Sequence, residues 1–211
     1  RNMTSIRHRY LGQDFTLKGL IGRELSQMTV GVIGTGRIGT RLISMLTGFG
    51  CRILAYAPHP NAEAKKHAEY VSLETLYRES DLITLHAPAN AETTHMINED
   101  ALAQMKNGVI LVNTGRGALI DTAALLHGLD TGKVGGAGLD VIEEESDLYY
   151  YDRREELLHH RDMALLNSYP NVVVTHHMAF YTRQCVETMV RDSVRGIVAD
   201  IQGLKNPWRV C

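Results

Sequence analysis

One stretch decides the fold of this chain: Met28-Thr-Val-Gly-Val-Ile-Gly-Thr-Gly-Arg-Ile-Gly39. Its β-branched residues Val30, Val32 and Ile33 form a run too short and too closely bounded by glycine for a helix, which predicts a buried strand. Glycines follow with the spacing G-x-G-x-x-G, and an apolar helical pattern comes next. A strand, a glycine-rich turn and a helix in this order predict a dinucleotide-binding site rather than a plain turn between buried elements.

Each glycine of the motif has a physical reason. Gly34 permits the tight turn, Gly36 lets a pyrophosphate approach the backbone, and Gly39 lets the helix pack close to the strand. The N-terminus of the helix offers free N–H groups and a positive dipole end to the phosphates. The residues predicted on the apolar side of this helix are Ile38, Leu42, Ile43, Met45 and Leu46.

Composition narrows the class of protein. The 211 residues carry a formal net charge of −2 without a basic cluster, which makes nucleic acid an unsuitable partner. No apolar run approaches the roughly 20 residues of a membrane helix, and the chain shows no signal-peptide pattern. Cys51, Cys185 and Cys211 are odd in number and far apart, which favours a reducing cytoplasm over a disulfide framework. No cysteine–histidine spacing predicts a metal site.

Strand and helix patterns alternate along the chain, which predicts an α/β fold with a doubly wound parallel sheet. Strands are predicted at residues 30–33, 51–56, 82–85, 109–112, 135–141 and 172–174. Helices are predicted at residues 72–77, 98–105, 121–129 and 182–202, with Ser72 and Asp121 as caps. The last helix has one apolar face, formed by Val186, Met189, Val190, Ser193, Val194 and Ile197. Residues 143–160 are rich in acid and tyrosine and are expected outside the sheet.

Three segments follow from these patterns. Residues 3–10 look like the end of a helix, so we interpret residues 1–22 as a helix end and linker from an N-terminal part that this sequence lacks. Residues 23–180 form the predicted Rossmann-like dinucleotide-binding domain. Residues 181–211 form a C-terminal helix expected to pack towards a mostly absent substrate domain.

Three polar residues follow predicted strands where parallel sheets bind ligands. They are Arg116, Glu145 and His177. An arginine offers a planar fork for a substrate carboxylate. A protonated histidine can protonate a keto oxygen as a hydride reaches the carbon, and a neighbouring carboxylate favours that protonated form. Together they suit a 2-keto acid.

At these residues the sequence resembles the D-isomer-specific 2-hydroxyacid dehydrogenases, and within them bacterial D-lactate dehydrogenases, including the vancomycin-resistance type. The resemblance runs from about residue 22 to residue 201. It rests on Thr29-Val-Gly-Val-Ile-Gly-Thr-Gly-Arg-Ile-Gly39, Leu85-His-Ala-Pro88, Met105-Lys-Asn-Gly108, Val112-Asn-Thr-Gly-Arg-Gly-Ala-Leu-Ile-Asp121, Gly138-Leu-Asp-Val141 and Val174-Thr-His-His-Met-Ala-Phe-Tyr-Thr182.

The resemblance implies roles for individual residues. It implies Arg116, Glu145 and His177 as catalytic residues, with Arg116, Phe180 and Tyr181 at the substrate. The implied cofactor-binding residues are Gly34, Gly36, Arg37, Ile38, Gly39, Ala57, His86, Ala87, Pro88, Thr93, Thr114, Gly115, Asp140 and Ala179. The cofactor is NAD or NADP, because Ala57 stands where NAD-specific relatives place an aspartate for the ribose hydroxyls. A homodimer is also implied.

Two assignments stay open. His176 replaces a usual proline beside His177, and we choose His177 because it keeps the family's two-residue step to Ala179. Glu143 and Glu144 crowd Glu145, which is chosen by its spacing to Arg116 and His177.

The implied reaction is hydride transfer between a nicotinamide cofactor and a small 2-keto or 2-hydroxy acid, most simply pyruvate and D-lactate. Alternatives are a dehydrogenase for another D-2-hydroxy acid, or a nucleotide-sensing binding protein of the corepressor kind. This chain alone is expected to bind the cofactor and turn over poorly, because part of the substrate cleft lies outside it.

Overall fold

The computed structural model describes residues 3–156 and 160–209. Cys211, one of the three cysteines considered above, lies outside these residues, whereas Cys51 and Cys185 are free thiols. The chain divides after His176 into two compact units.

The first unit is built on one parallel sheet of seven strands, which confirms the predicted doubly wound fold. In sheet order the strands run β3-β2-β1-β4-β5-β6-β7. The strands are β1 Thr29–Ile33, β2 Arg52–Tyr56, β3 Glu69–Tyr70, β4 Leu82–Leu85, β5 Val109–Asn113, β6 Val134–Leu139 and β7 Val172–Val174. The winding direction changes between β1 and β4, and a crevice for ligands forms at such a switch point, beyond the carboxyl ends of the strands.

Helices cover both faces of the sheet, so its central strands β1 and β4 are largely buried on both sides. The helices of this unit are α1 Met3–Leu11, α2 Arg37–Leu46, α3 Leu73–Glu79, α4 Glu99–Gln104, α5 Thr122–Asp130 and α6 Arg161–Ser168. Ser72, Asn98 and Asp121 cap α3, α4 and α5 by accepting hydrogen bonds from backbone N–H groups. Such caps each stabilise a helix by about 1 kcal/mol, and they fix where these helices begin.

The core has one cluster on each face of the sheet. Val30 and Val32 of β1 pack with Ile43 and Leu46 of α2 on one face. Ile33, at the end of the same strand, belongs to the larger cluster on the other face. Neighbouring side chains of a strand point to opposite faces, so β1 contributes to both clusters.

The predicted apolar side of α2 is wrong at two positions. Ile38 and Met45 are 68% and 60% exposed, and the buried residues of the helix are Gly39, Ile43 and Leu46. The helix approaches the sheet through Gly39, because this glycine lies against the turn that follows β1. Ile38 is one residue away along the helix, and it therefore faces outwards.

Among the described residues, one strand and one α-helix were not predicted. The strand is β3, which pairs with β2 and, with two residues, is too short for a periodic pattern. The helix is α6, which begins where the predicted irregular region ends. Within residues 143–156, the structure has one 3₁₀ turn at Glu145–Asp147.

The second unit contains the helix α7, Arg183–Ile201, which confirms the helix predicted at residues 182–202, and Thr182 caps it. Its predicted apolar face is formed by residues that are mostly exposed, including Met189, Val190 and Ile197. After the helix, the chain returns to it, and Asn206 donates a hydrogen bond to the carbonyl of Gly196. Over the described part of both units, no helix combines the length and the apolar character that crossing a membrane requires.

Candidate functional site

The loops that follow β1, β2 and β4 meet at the switch point of the sheet. The N–H of Gly34 donates to the carbonyl of Tyr56, 2.8 Å away, and the N–H of His86 donates to Ile33, 2.7 Å away. Gly34 has φ +91°, and a Cβ placed on it would lie 2.6 Å from the backbone of His86. Only glycine combines this conformation with so close an approach.

The other two glycines of the motif differ in what surrounds them. A Cβ on Gly39 would lie 2.0 Å from the carbonyl oxygen of Gly34, whereas a Cβ on Gly36 would meet no protein atom within 4 Å. Gly36 caps α2, and Arg37 and Ile38 in the first turn are exposed. An open glycine at the N-terminus of a helix fits a pyrophosphate, which needs free N–H groups and close backbone approach.

A tyrosine that the sequence analysis missed holds this turn. The hydroxyl of Tyr70 donates to Oγ1 of Thr35 at 2.7 Å and accepts from the N–H of Asn61 at 2.9 Å. Thr35 is buried, and its carbonyl accepts from Thr40. The hydrogen bonds of Tyr70 join the glycine turn to the segment after β2, which carries Ala57.

Ala57 follows directly after β2 and is half-buried. In dinucleotide-binding folds, an acidic residue about 20 positions after the glycine motif binds the ribose hydroxyls. Ala57 carries no carboxylate, and the nearby cationic candidates Arg37 and His59 are exposed.

The loop after β4 contains the predicted site residues His86, Ala87, Pro88 and Thr93. Oγ1 of Thr93 donates to the carbonyl of Pro88 at 2.6 Å, which closes the loop on itself. Nε2 of His86 lies 3.0 Å from Oγ1 of Thr84. Burial lowers the pKa of His86, which favours the neutral ring.

The turn after β5 presents Arg116 through the buried side chain of Asn113. The Asn113 amide donates to the carbonyl of Arg116 at 2.9 Å and accepts from the N–H of Gly115 at 3.0 Å. Thr114 and the side chain of Arg116 are exposed, and Nη1 of Arg116 donates to the carbonyl of Gly115. Asn113 was not among the predicted site residues, although its position as a polar residue ending an apolar strand is a usable signal.

Asp140 directly follows β6 and is 4% exposed. Its carboxylate accepts a hydrogen bond of 2.5 Å from the hydroxyl of Thr175, which follows β7. Its N–H donates to the carbonyl of Asn113. Asp140 is therefore fixed at the same edge of the sheet as the turn that carries Arg116.

The three neighbouring acids have different surroundings. Glu143 accepts from His95 through one oxygen and from Thr122 through the other. Burial acts to raise the pKa of Glu143, but the hydrogen bonds from Thr122 and His95 outweigh it, and the pKa is lowered. Glu144 is exposed with φ +55°, and Oε2 of Glu145 accepts from the N–H of Ile142 at 2.9 Å.

Tyr149 lies close to the last of these acids. It is 5% exposed, and its hydroxyl has no hydrogen-bond partner among the residues that the structure describes. Burial, with smaller contributions from Glu145 and Asp140, raises the pKa of Tyr149 to about 12. The ring stands edge-on to that of His176, with 6.4 Å between the centroids.

The second unit holds the remaining predicted residues. His177 is half-buried and adopts a left-handed backbone with φ +52°. Its ring is edge-on to Phe180, which in turn is edge-on to Tyr181, with centroid distances of 6.4 Å and 5.9 Å. Ala179 is exposed beside this aromatic group.

Known proteins are similar to this chain in both sequence and fold. A family model described as the NAD binding domain of D-isomer specific 2-hydroxyacid dehydrogenase matches residues 1–179. An aromatic 2-oxoacid reductase from Clostridium sporogenes is 43% identical over 200 residues, which cover 94% of this chain and 60% of that protein. The chain therefore spans about 60% of the length of this relative.

Solved structures agree with the sequence comparison. A D-lactate dehydrogenase from Treponema pallidum superposes with a TM-score of 0.93 at 38% identity, covering 98% of this chain and 63% of that one. A D-lactate dehydrogenase from Lactobacillus jensenii, solved with NAD+, gives a TM-score of 0.90 at 33% identity, covering 100% of this chain and 64% of that one.

Proposed function

The chain belongs to the D-isomer specific 2-hydroxyacid dehydrogenase family, and on that premise we propose that the full-length protein transfers a hydride between NAD or NADP and a small 2-keto or 2-hydroxy acid. Pyruvate and D-lactate are the simplest such pair. The observation that carries the proposal is the open glycine turn at the switch point, with Arg116 and Asp140 at the ends of neighbouring strands.

The proposed cofactor residues surround that turn. The open backbone at Gly36 and the N-terminus of α2 would hold the pyrophosphate, with Arg37 and Ile38 in the exposed first turn, and Gly34 and Gly39 shape the turn that presents it. The remaining contacts are assigned to Ala57, His86, Ala87, Pro88, Thr93, Thr114, Gly115, Asp140 and Ala179. The nicotinamide supplies or accepts the hydride when it is bound.

Arg116 binds the substrate carboxylate in this proposal. Its side chain is exposed, and the bond from Nη1 to the carbonyl of Gly115 orients the guanidinium. The other N–H groups of the planar fork remain suited to two parallel hydrogen bonds with a carboxylate. Asn113 supports this arrangement by shaping the turn.

His177 moves the proton. In the direction of reduction, a protonated His177 gives its proton to the keto oxygen while the hydride reaches the carbonyl carbon, and in oxidation the neutral ring takes the proton back. The family resemblance implies Glu145 as the acid that favours the protonated form of His177. Glu143 is a weaker candidate for this role, because its two carboxylate oxygens are engaged with His95 and Thr122.

An aromatic 2-keto acid is a second candidate substrate. Phe180 and Tyr181 offer exposed aromatic side chains next to His177, and the relative from Clostridium sporogenes is named an aromatic 2-oxoacid reductase. Edge-on aromatic contacts would favour a substrate with a ring over pyruvate.

The absence of a carboxylate at Ala57 supports weak discrimination between NAD and NADP. An acid at this position would bind the ribose hydroxyls of NAD and repel the 2′-phosphate of NADP. Family membership also supports a homodimer, and light scattering on the full-length protein tests it. The free thiols of Cys51 and Cys185 support a cytoplasmic location.

A panel assay tests the proposal. The full-length protein is mixed with NADH or NADPH and with pyruvate, phenylpyruvate and branched-chain 2-keto acids, and oxidation of the cofactor is followed. Turnover of at least one keto acid is expected. Cofactor binding without turnover of any of them would instead support a nucleotide-sensing binding protein.

A further inference from the structure

One carboxylate joins three loops of the sheet edge. Oε1 of Glu143, in the loop after β6, lies 2.5 Å from Nε2 of His95, in the loop after β4. Oε2 of the same side chain accepts from the N–H and the hydroxyl of Thr122, at 2.9 Å and 2.6 Å. Thr122 begins α5, which follows the turn of Arg116.

We propose that Glu143 is a positioning residue, which holds the loops after β4, β5 and β6 in one arrangement through His95 and Thr122. This inference rests on the proposed function, because those loops carry the residues assigned to the cofactor and the substrate. Thr93 lies two residues before His95, and Asp140 and Glu145 flank Glu143. Glu143 itself touches neither ligand in this proposal.

The backbone around His95 is held in a conformation that places its ring against Glu143. His95 adopts a left-handed conformation with φ +52°, which a non-glycine residue keeps only where its surroundings hold it. Its N–H donates to the carbonyl of Ala118 at 2.8 Å, and an isolated bridge pairs Ile97 with Ile120 two residues later. The loop after β4 therefore runs alongside the segment after Arg116. The Glu143 side chain connects both of them to the loop after β6.

The contact is also titratable. Mainly the hydrogen bond to Glu143 raises the pKa of His95, with Asp121 at the cap of α5 adding a smaller attraction. Another ionisable group close to Glu143 is His160, whose Nε2 lies 3.2 Å from the Glu143 carbonyl oxygen. The charged pair is complete while His95 is protonated, and it is lost as the pH rises through the raised pKa of His95.

The chain offers a matched control pair. Nδ1 of His127 lies 2.8 Å from Oε1 of Glu99, which joins α5 to α4. Both side chains are about 60% exposed, and neither lies in a loop assigned to a ligand. Glu99→Gln therefore removes the same chemistry without touching the proposed arrangement.

The test measures NADH affinity and the titration of histidine rings by NMR in the wild type, Glu143→Gln, His95→Gln, the double variant and Glu99→Gln. We expect Glu143→Gln and His95→Gln each to weaken NADH binding about three- to tenfold, since a charge-assisted but partly exposed hydrogen bond is lost. The double variant should be no worse than Glu143→Gln alone, because both changes remove the same contact between His95 and Glu143. The His95 titration should move to lower pH in Glu143→Gln, and Glu99→Gln should leave NADH affinity and the His95 titration in place.

Two outcomes overturn the inference: additive losses in the double variant, or equal effects of Glu143→Gln and Glu99→Gln on NADH affinity. If Glu143→Gln does not fold, His95→Gln still tests the proposal, because the His95 side chain is partly exposed and its replacement disturbs the fold less. Full NADH affinity in His95→Gln contradicts the proposal. Failure of the proposed function looks different. In that case the wild type binds NADH and reduces no 2-keto acid, and the affinity and NMR comparisons still test the role of Glu143.

Discussion

Gly117 lies directly against the backbone of Ile142, so that a Cβ on the glycine would stand 2.0 Å from the Ile142 carbonyl oxygen. Gly117 follows Arg116, and Ile142 precedes the three acids. The turn that presents the arginine therefore packs on the acid-bearing loop with no room for a side chain between them. This contact, together with the bonds of Glu143, fixes the proposed catalytic residues of the first unit relative to each other.

Gly117→Ala should damage both stability and activity. The methyl group meets backbone atoms that cannot move without shifting one of the two loops, and overpacking of this kind costs about 1–3 kcal/mol. Thermal unfolding and the kcat/KM for keto-acid reduction measure the two effects. Gly48→Ala is the control, because a Cβ there meets nothing within 4 Å. Equal behaviour of the two variants would contradict this account of the contact.

Gly36→Ala and Gly39→Ala should separate binding from stability. At Gly36 the methyl group meets no protein atom, so the free energy of unfolding should change little, while NADH affinity falls at least about tenfold, or about 1.4 kcal/mol. At Gly39 the methyl group meets the Gly34 carbonyl at 2.0 Å, so stability itself should fall. Calorimetric titration and thermal unfolding of both variants are the measurements. Unchanged NADH affinity in Gly36→Ala would place the pyrophosphate elsewhere.

Ala57→Asp should turn the cofactor preference towards NAD. The new carboxylate gains a charged hydrogen bond to the ribose hydroxyls, of about 1.5–3 kcal/mol, and repels a 2′-phosphate. The ratio of kcat/KM for NADH to that for NADPH should therefore rise at least about tenfold. Ala62→Asp adds the same charge at an exposed alanine and should leave the ratio alone. A wild type that already prefers NADH more than about a hundredfold would contradict the interpretation of Ala57.

The pH dependence of the reaction should report His177. Reduction needs the protonated ring, so its kcat/KM should fall as the pH rises, and oxidation, which needs the neutral ring, should rise. Glu145→Gln removes the carboxylate assigned to the catalytic set, so kcat/KM should fall in both directions. His177→Gln should flatten both profiles, whereas His176→Gln should preserve them. A flat profile in His176→Gln instead would move the assignment by one residue.

Local chemistry explains which parts of the structure could be predicted. The strand–glycine–helix unit and the caps Ser72 and Asp121 depend on residues a few positions apart, and each was predicted correctly. The outward side of α2 was not, because periodicity does not reveal that Gly39, a residue without a side chain, marks the side facing the sheet. β3 was missed since two residues carry no period.

In the candidate site, too, local features could be predicted and long-range contacts could not. Arg116 could be selected because it follows an apolar strand, which is visible in the sequence, whereas Asp140 was indicated only by the family resemblance. The pairing of His95 with Glu143 joins residues 48 positions apart, and Tyr70 reaches Thr35 across 35 positions. Contacts between residues so far apart in sequence depend on the order of the strands in the sheet. The periodicity of the sequence predicts the class of fold but not that order. They became visible only in the structure.

Chiral analysis of the product tests the central claim most directly. The full-length protein is incubated with NADH and the 2-keto acid that it reduces fastest, and the hydroxy acid formed is separated by handedness and compared with the NADH consumed. The account predicts the D-hydroxy acid alone, with one molecule formed for each NADH oxidised. The L-product, a racemic mixture, or NADH binding without any hydroxy acid would contradict it.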